Sequence, residues 1–227
     1  GLIGSQLLPL QNVDAKSGTY LKVQLAGAEL LSNNATARDA GSGYSRGIRS
    51  FSSANYSTDE YGLEEVLDGS SGADLSRFFS YESETAKFLL RQLKLSHEKR
   101  VSDLLWAGST PFTISDQTRA VAYTNTNIAT VDVARDVAAA KLALNQYGYE
   151  VNCIAMSANG FELIRRSTLL QNQFFGVISN TGARLLSEAE IAAALGVQNL
   201  LVGRAAINTA GKNKAYTGSF VVPDTKI

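Results

Sequence analysis

One cysteine and one histidine, Cys153 and His97, are the only residues from which this chain could build a thiol nucleophile and its base. That chemistry needs the imidazole within hydrogen-bond reach of the sulfur. Cys153 lies inside the apolar run VNCIAM, where a free cysteine behaves as a small hydrophobe. His97 lies in SHEKR, which reads as a solvated helix face. No catalytic pairing is expected, and one Cys with one His falls short of a metal ligand set.

Phosphate binding is the next possibility, raised by LGVQNLLVGRAAINTAGKNKAYTG from Leu195 to Gly218. A phosphate loop needs Gly, four residues, then Gly-Lys-Ser/Thr, so that backbone N–H groups curl round one phosphate and the hydroxyl reaches magnesium. Here seven residues separate Gly203 from Gly211, and Asn213 stands where the hydroxyl should be. The stretch reads as a strand and its exit.

The carboxylate pairs are also explained without catalysis. Ser187 with Glu190 has the spacing of a helix capping box. Asp59–Glu60 and Glu64–Glu65 lie beside Gly-rich loop, with no apolar pocket to raise a pKa. Arg165–Arg166 reads as a solvated helix face. No GxSxG, HExxH, DxDxDG or CxxC pattern occurs. We expect no enzyme, no cofactor and no metal site.

Bulk composition is consistent with that. Lys+Arg 21 balances Asp+Glu 21, so net charge supplies no drive toward nucleic acid or an anionic membrane. No apolar run approaches the roughly 20 residues that span a bilayer, and no signal peptide is evident. At 227 residues with 44% hydrophobic content, the chain can build one large or two modest cores. The only methionine is Met156, and SFVVPDTKI stops just after a strand-like run. We therefore expect both ends to be incomplete.

The elements follow from periodicity. Gly1–Gln11 is apolar but broken by Gly and Pro, so an extended arm is expected. Tyr20–Leu25 alternates like a half-buried strand. Ser32–Thr58 has almost no aliphatic residues, and two readings stay open for it. One is disorder. The other is a long projecting hairpin with strands Tyr20–Ala26 and about Gly47–Tyr56, which would need another subunit's surface to lie on. Arg38, Tyr44, Arg46, Arg49, Phe51 and Tyr56 are the inter-subunit contact candidates, because aromatic and Arg residues are enriched at interfaces.

Asp74–Trp106 carries the strongest helical stripe, through Leu75, Phe79, Ala86, Leu90, Leu93, Val101 and Leu105, with room for a break at Leu95–Ser96. Leu90 and Leu93 are expected to bury against a sheet of the same subunit. Thr113–Ala129 reads as strand and turn, and an Ala-rich helix runs from Thr130 to a stop at Gly148. Val151–Met156 reads as a strand, Ser157 as the cap of a helix carrying Phe161, Leu163 and Ile164, and Ser187–Gly196 as another helix before strand Leu200–Val202.

In this order the parts resemble the major capsid proteins of tailed bacteriophages and related prophages, with the Hong Kong phage-type capsid fold. The matching stretches are YSTDEYGLEEVLD, LLRQLKLSHEKRVSDLLW, VNCIAMSANGFELIRR and SEAEIAAALGVQNLLVGRAAINTAGK, spanning about Ile3 to Phe220. The resemblance implies an α+β fold. Its parts would be an N-terminal arm over residues 1–19, an extended hairpin loop over 20–61, and a peripheral domain over 62–129 with spine helix 74–106. An α/β axial domain over 130–210 and a return over 211–227 would complete it. It also implies a structural head protein of the virion, assembled in the host cytoplasm from pentamers and hexamers. Scaffold, portal or decoration proteins would be the other partners, and packaged double-stranded DNA would be enclosed without sequence-specific binding. An encapsulin-like compartment around a cargo enzyme shares the fold. An α/β enzyme is the more distant reading and would need a pocket bringing His97 to Cys153.

Some members of that family join a Lys of the extended loop to a neighbour's Asn, with a Glu removing the proton. Here no lysine lies between Lys22 and Lys87, and the loop's arginines cannot supply a neutral amine. We expect no such cross-link.

Overall fold

The computed structural model describes residues 1–23, 37–44, 46, 51–66, 80–106, 123–175, 185–211 and 213–224. The described residues form a mixed α+β structure of six helices and three two-stranded sheets. They divide into two units, one of residues 1–10, 61–138 and 152–227 and one of residues 11–60 and 139–151.

The first unit holds the core. Strand β3 (Cys153–Ser157) pairs in parallel with β4 (Asn199–Gly203), from Cys153 opposite Asn199 to Ser157 opposite Gly203. Parallel strands need a crossover, here built from helices α4 (Ala158–Ile164), α5 (Thr168–Phe175) and α6 (Glu188–Leu195). Met156, Ile164, Leu170, Leu186 and Ile191 are almost wholly removed from water among them, with Phe161, Leu195 and Val202. Complete burial of such side chains contributes about 1.5–3 kcal/mol each.

Local chemistry sets the helix boundaries. The Ser157 hydroxyl accepts the Gly160 N–H at 3.0 Å, as the sequence reading expects. At α6 the expected capping box is complete. Glu190 N–H donates to the Ser187 hydroxyl at 3.3 Å, and the Glu190 carboxylate accepts the Ser187 N–H at 2.8 Å. Helix α3 (Val133–Asn145) is followed by Gly148 at φ 78°, a left-handed position that glycine occupies without steric cost. Helix α5, which begins at Thr168, is absent from the sequence reading; Ser167 introduces it, its hydroxyl accepting the Leu170 N–H at 3.4 Å.

Helix α2 (Tyr81–Trp106) runs 26 residues without a break at Leu95–Ser96, about 39 Å at 1.5 Å per residue. Its expected start at Asp74 lies outside the described residues. Of the expected apolar stripe, Val101 alone is buried among the described residues. Leu90 is 52% exposed and Leu93 only half-buried, while Glu98, Val101 and Ser102 are buried. Leu90 and Leu93 sit about 80° and 140° round the helix from Glu98 at 3.6 residues per turn. What fixes the buried face is polar. The Ser102 hydroxyl donates to the Val221 carbonyl at 2.7 Å, and Glu98 accepts backbone N–H groups from Ile3 and Gly4.

Those N–H groups, on the N-cap and first residue, open α1 (Gly4–Leu7), a single turn where the sequence reading expects extended chain. Ile3 is buried, and the Gly1 carbonyl accepts the Arg204 N–H at 3.2 Å. A third short pair, β5 (Ala206–Asn208) with antiparallel β6 (Gly218–Phe220), leads into the buried Val221 and Val222.

Candidate interaction surface

The second unit contains an antiparallel ribbon of β1 (Ser17–Val23) and β2 (Phe51–Ser57), in register from Ser17 opposite Ser57 to Val23 opposite Phe51. The hairpin reading therefore holds over disorder for these residues. The first strand begins three residues before the expected Tyr20, because pairing extends to the ribbon's base. There the Thr58 N–H and hydroxyl both donate to the Lys16 carbonyl, at 2.7 and 3.0 Å, and Lys16 pairs with Glu60 at 2.5 Å.

Among the described residues no third strand joins this ribbon. Alternation puts Leu21 and Phe51 on one face, as diagonal neighbours, and they are 72% and 58% exposed. Thr19 and Asn55 share that face and bond side chain to side chain at 3.0 Å. Tyr20 and Tyr56 lie on the opposite face. The Tyr56 ring folds over Gly18, where a Cβ would stand 2.8 Å from ring carbon Cε1.

Residues 37–44 carry the most exposed aromatic of the candidate set. A turn over Asp39–Ser42, with the Ser42 N–H and hydroxyl both donating to the Asp39 carbonyl, folds the chain back. It brings the Arg38 guanidinium 4.7 Å from the centroid of the Tyr44 ring. Of the six contact candidates, Arg38 and Tyr44 come together, Arg46 and Phe51 are exposed, and Tyr56 is half-buried on its own ribbon. Arg49 lies outside the described residues.

Residues read for other chemistry are accounted for locally. Cys153 is half-buried in β3, and burial pushes its thiol pKa up from the ordinary 9.0, away from the thiolate a nucleophile needs. Arg165 pairs with Glu162 at 2.9 Å and lies 5.5 Å from the Phe161 ring centroid; Arg166 reaches the same Glu162 at 4.0 Å. Gly203 closes β4 where a Cβ would collide with the Val222 side chain, so its role is close packing. Lys212 lies outside the described residues. Among the described residues no group of three or more His, Cys, Asp or Glu could hold a metal ion. Among them, too, no helix is long and apolar enough to cross a membrane.

Sequence reasoning missed Glu98, read as part of a solvated face. It is 3% exposed and caps a helical turn more than ninety residues away in sequence. Its spacing to Val101, Ser102 and Trp106, along one side of a helix, is the signal that was present.

No protein-family model and no curated protein matches the chain. Among solved structures it is similar to the crystal structure of a phage-related protein from Bordetella bronchiseptica RB50. The alignment covers 97% of this chain and 68% of that one, with a TM-score of 0.60 and 20% identity. What the two share is a fold. The likeness spans nearly the whole chain.

Proposed function

We propose that this chain is a structural head protein of a phage or prophage, a major capsid subunit of the Hong Kong phage type that assembles into an icosahedral shell around double-stranded DNA. The observation that carries the reading is the exposed ribbon. A two-stranded hairpin is marginally stable by itself in water, and this one turns Leu21 and Phe51 outward. A neighbouring subunit would cover that face and supply the missing burial. The fold likeness to a phage-related protein supports the same direction.

In this reading the ribbon and the Arg38–Tyr44 turn overlap adjacent subunits, and the α/β unit around β3 and β4 makes the contacts within pentamers and hexamers. The chain acts by assembly and performs no catalysis. A shell of zero net charge would enclose DNA without gripping it. Electron microscopy of the purified protein tests this. Shells or capsomer rings are expected, and Leu21→Asp together with Phe51→Asp should abolish them. A protein that stays monomeric at high concentration in assembly buffer would overturn the proposal.

A further inference from the structure

Four residues make too short a helix to persist in water, since nucleation alone is unfavourable. Helix α1 nevertheless forms, and Ile3 at its N-cap position offers no side-chain acceptor. The acceptor comes from α2. Glu98 takes the Ile3 N–H at 2.9 Å and the Gly4 N–H at 2.7 Å, one on each carboxylate oxygen. A carboxylate there satisfies two orphan donors and suits the positive end of the turn.

The seat is tight around Ile3 and Gly4. A Cβ on Gly4 would stand 2.8 Å from the Glu98 Oε2 and 3.3 Å from the Val101 Cβ. The Ile3 Cδ1 lies 3.3 Å from where a Cβ of Gly203 would be, beside Val222. The Gly1 carbonyl is tied to the Arg204 N–H. Beyond Leu8 the chain is exposed from Pro9 to Ser17, so on that side no packed segment holds residues 1–8 in the seat.

We infer that residues 1–8 are a two-state latch, helical only when seated, with Glu98 as its catch, and that the seated latch locks α2 to the β4–Val222 layer. Two clasps join α2 to that layer: the Ile3 plug held by Glu98, and the Ser102 hydroxyl on the Val221 carbonyl. They lie one helical turn apart, so loss of the first loosens the second. The inference stands on contacts within one chain and does not depend on assembly.

Native-state hydrogen exchange of the whole chain tests it. The Gln6, Leu7 and Leu8 amides, bonded to the Ile3 and Gly4 carbonyls, should exchange with one common opening. Glu98→Gln, which replaces a charged acceptor with a group carrying its own donors, should speed that opening about tenfold or more. Gly4→Ala should do the same while leaving Glu98 intact, and serves if Glu98→Gln fails to fold. Ser5→Ala, on the exposed side, should change nothing. The Val221 amide, bonded to Ala205 and touching no latch residue through that bond, should lose protection in both latch variants. Unrelated rates at residues 6–8, or unchanged protection in Gly4→Ala, would overturn the latch. Release of residues 1–8 with Val221 unaffected would overturn its locking role.

Discussion

The Arg38 guanidinium stacks 4.7 Å from the Tyr44 ring centroid, with Tyr44 itself 76% exposed. An exposed stack of this kind contributes about 0.5–1 kcal/mol, too little to matter to subunit stability. Tyr44→Ala should therefore leave the thermal midpoint of the unassembled subunit almost unchanged. If the chain assembles as proposed, assembly yield, measured by sedimentation, should fall, because a neighbour would cover the outward ring. An equal loss of subunit stability would mean that the ring serves its own fold.

The crossover core makes the opposite prediction. Ile191 is fully buried in α6 against β3 and β4 residues. Ile191→Ala should cost about 2–5 kcal/mol in denaturant titration, by lost transfer energy and the cavity left behind. Ser187→Ala, which removes one half of the capping box, should cost about 0.5–2 kcal/mol. The two measurements rank packing above capping, and a reversed order would contradict the burial pattern.

These two residues also mark how far the sequence could be read. Ser187 and Glu190 lie three apart, so their box is visible in the sequence, as are Ser157, Gly148 and the alternation of the ribbon strands. Helix α5 was missed because TLLQNQFF is too short to display a period. The stripe misled at Leu90 and Leu93 because periodicity reports a face that could be buried, while the face in use, which includes Val101, is fixed by Glu98 and Ser102 hydrogen bonds. The acceptors and donors of those bonds lie 94 to 119 residues away, a distance over which local pattern carries no information. The contact candidates fared unevenly for a related reason: Tyr56 is drawn onto its own ribbon by Gly18, a cross-strand partner that composition does not reveal.

Cys153 predicts an alkaline effect of definite sign. Burial raises its thiol pKa above 9.0 in the folded chain, so deprotonation is harder there than in the unfolded one. Its contribution to stability is complete below the unfolded value and is lost as pH climbs from there through the folded value. Alkylation by iodoacetamide at pH 8 should be slower in the native protein than in denaturant, and the native rate should reach its half-maximum above pH 9.0. Equal native and denatured profiles would place the thiol in open water.

If the chain assembles as proposed, its particles should run as one band at subunit mass after boiling in detergent. Lys22 is held within β1, opposite Ser52, and the next lysine along the chain is Lys87. A ladder of covalent multimers would show that some amine reaches a partner despite this.

The Glu98 contact also sets a timetable. Residues 1–8 leave the ribosome ahead of their catch, and ninety-four residues separate Gly4 from Glu98. At about 5–20 residues per second, the N-terminal segment spends on the order of 5–20 s without its partner. During that interval Ile3 and Leu7 have no seat and are available to a chaperone or to a neighbouring nascent chain. The turn that looks most local in the finished molecule thus takes shape late, and α2 must be synthesised before residues 1–8 can fold.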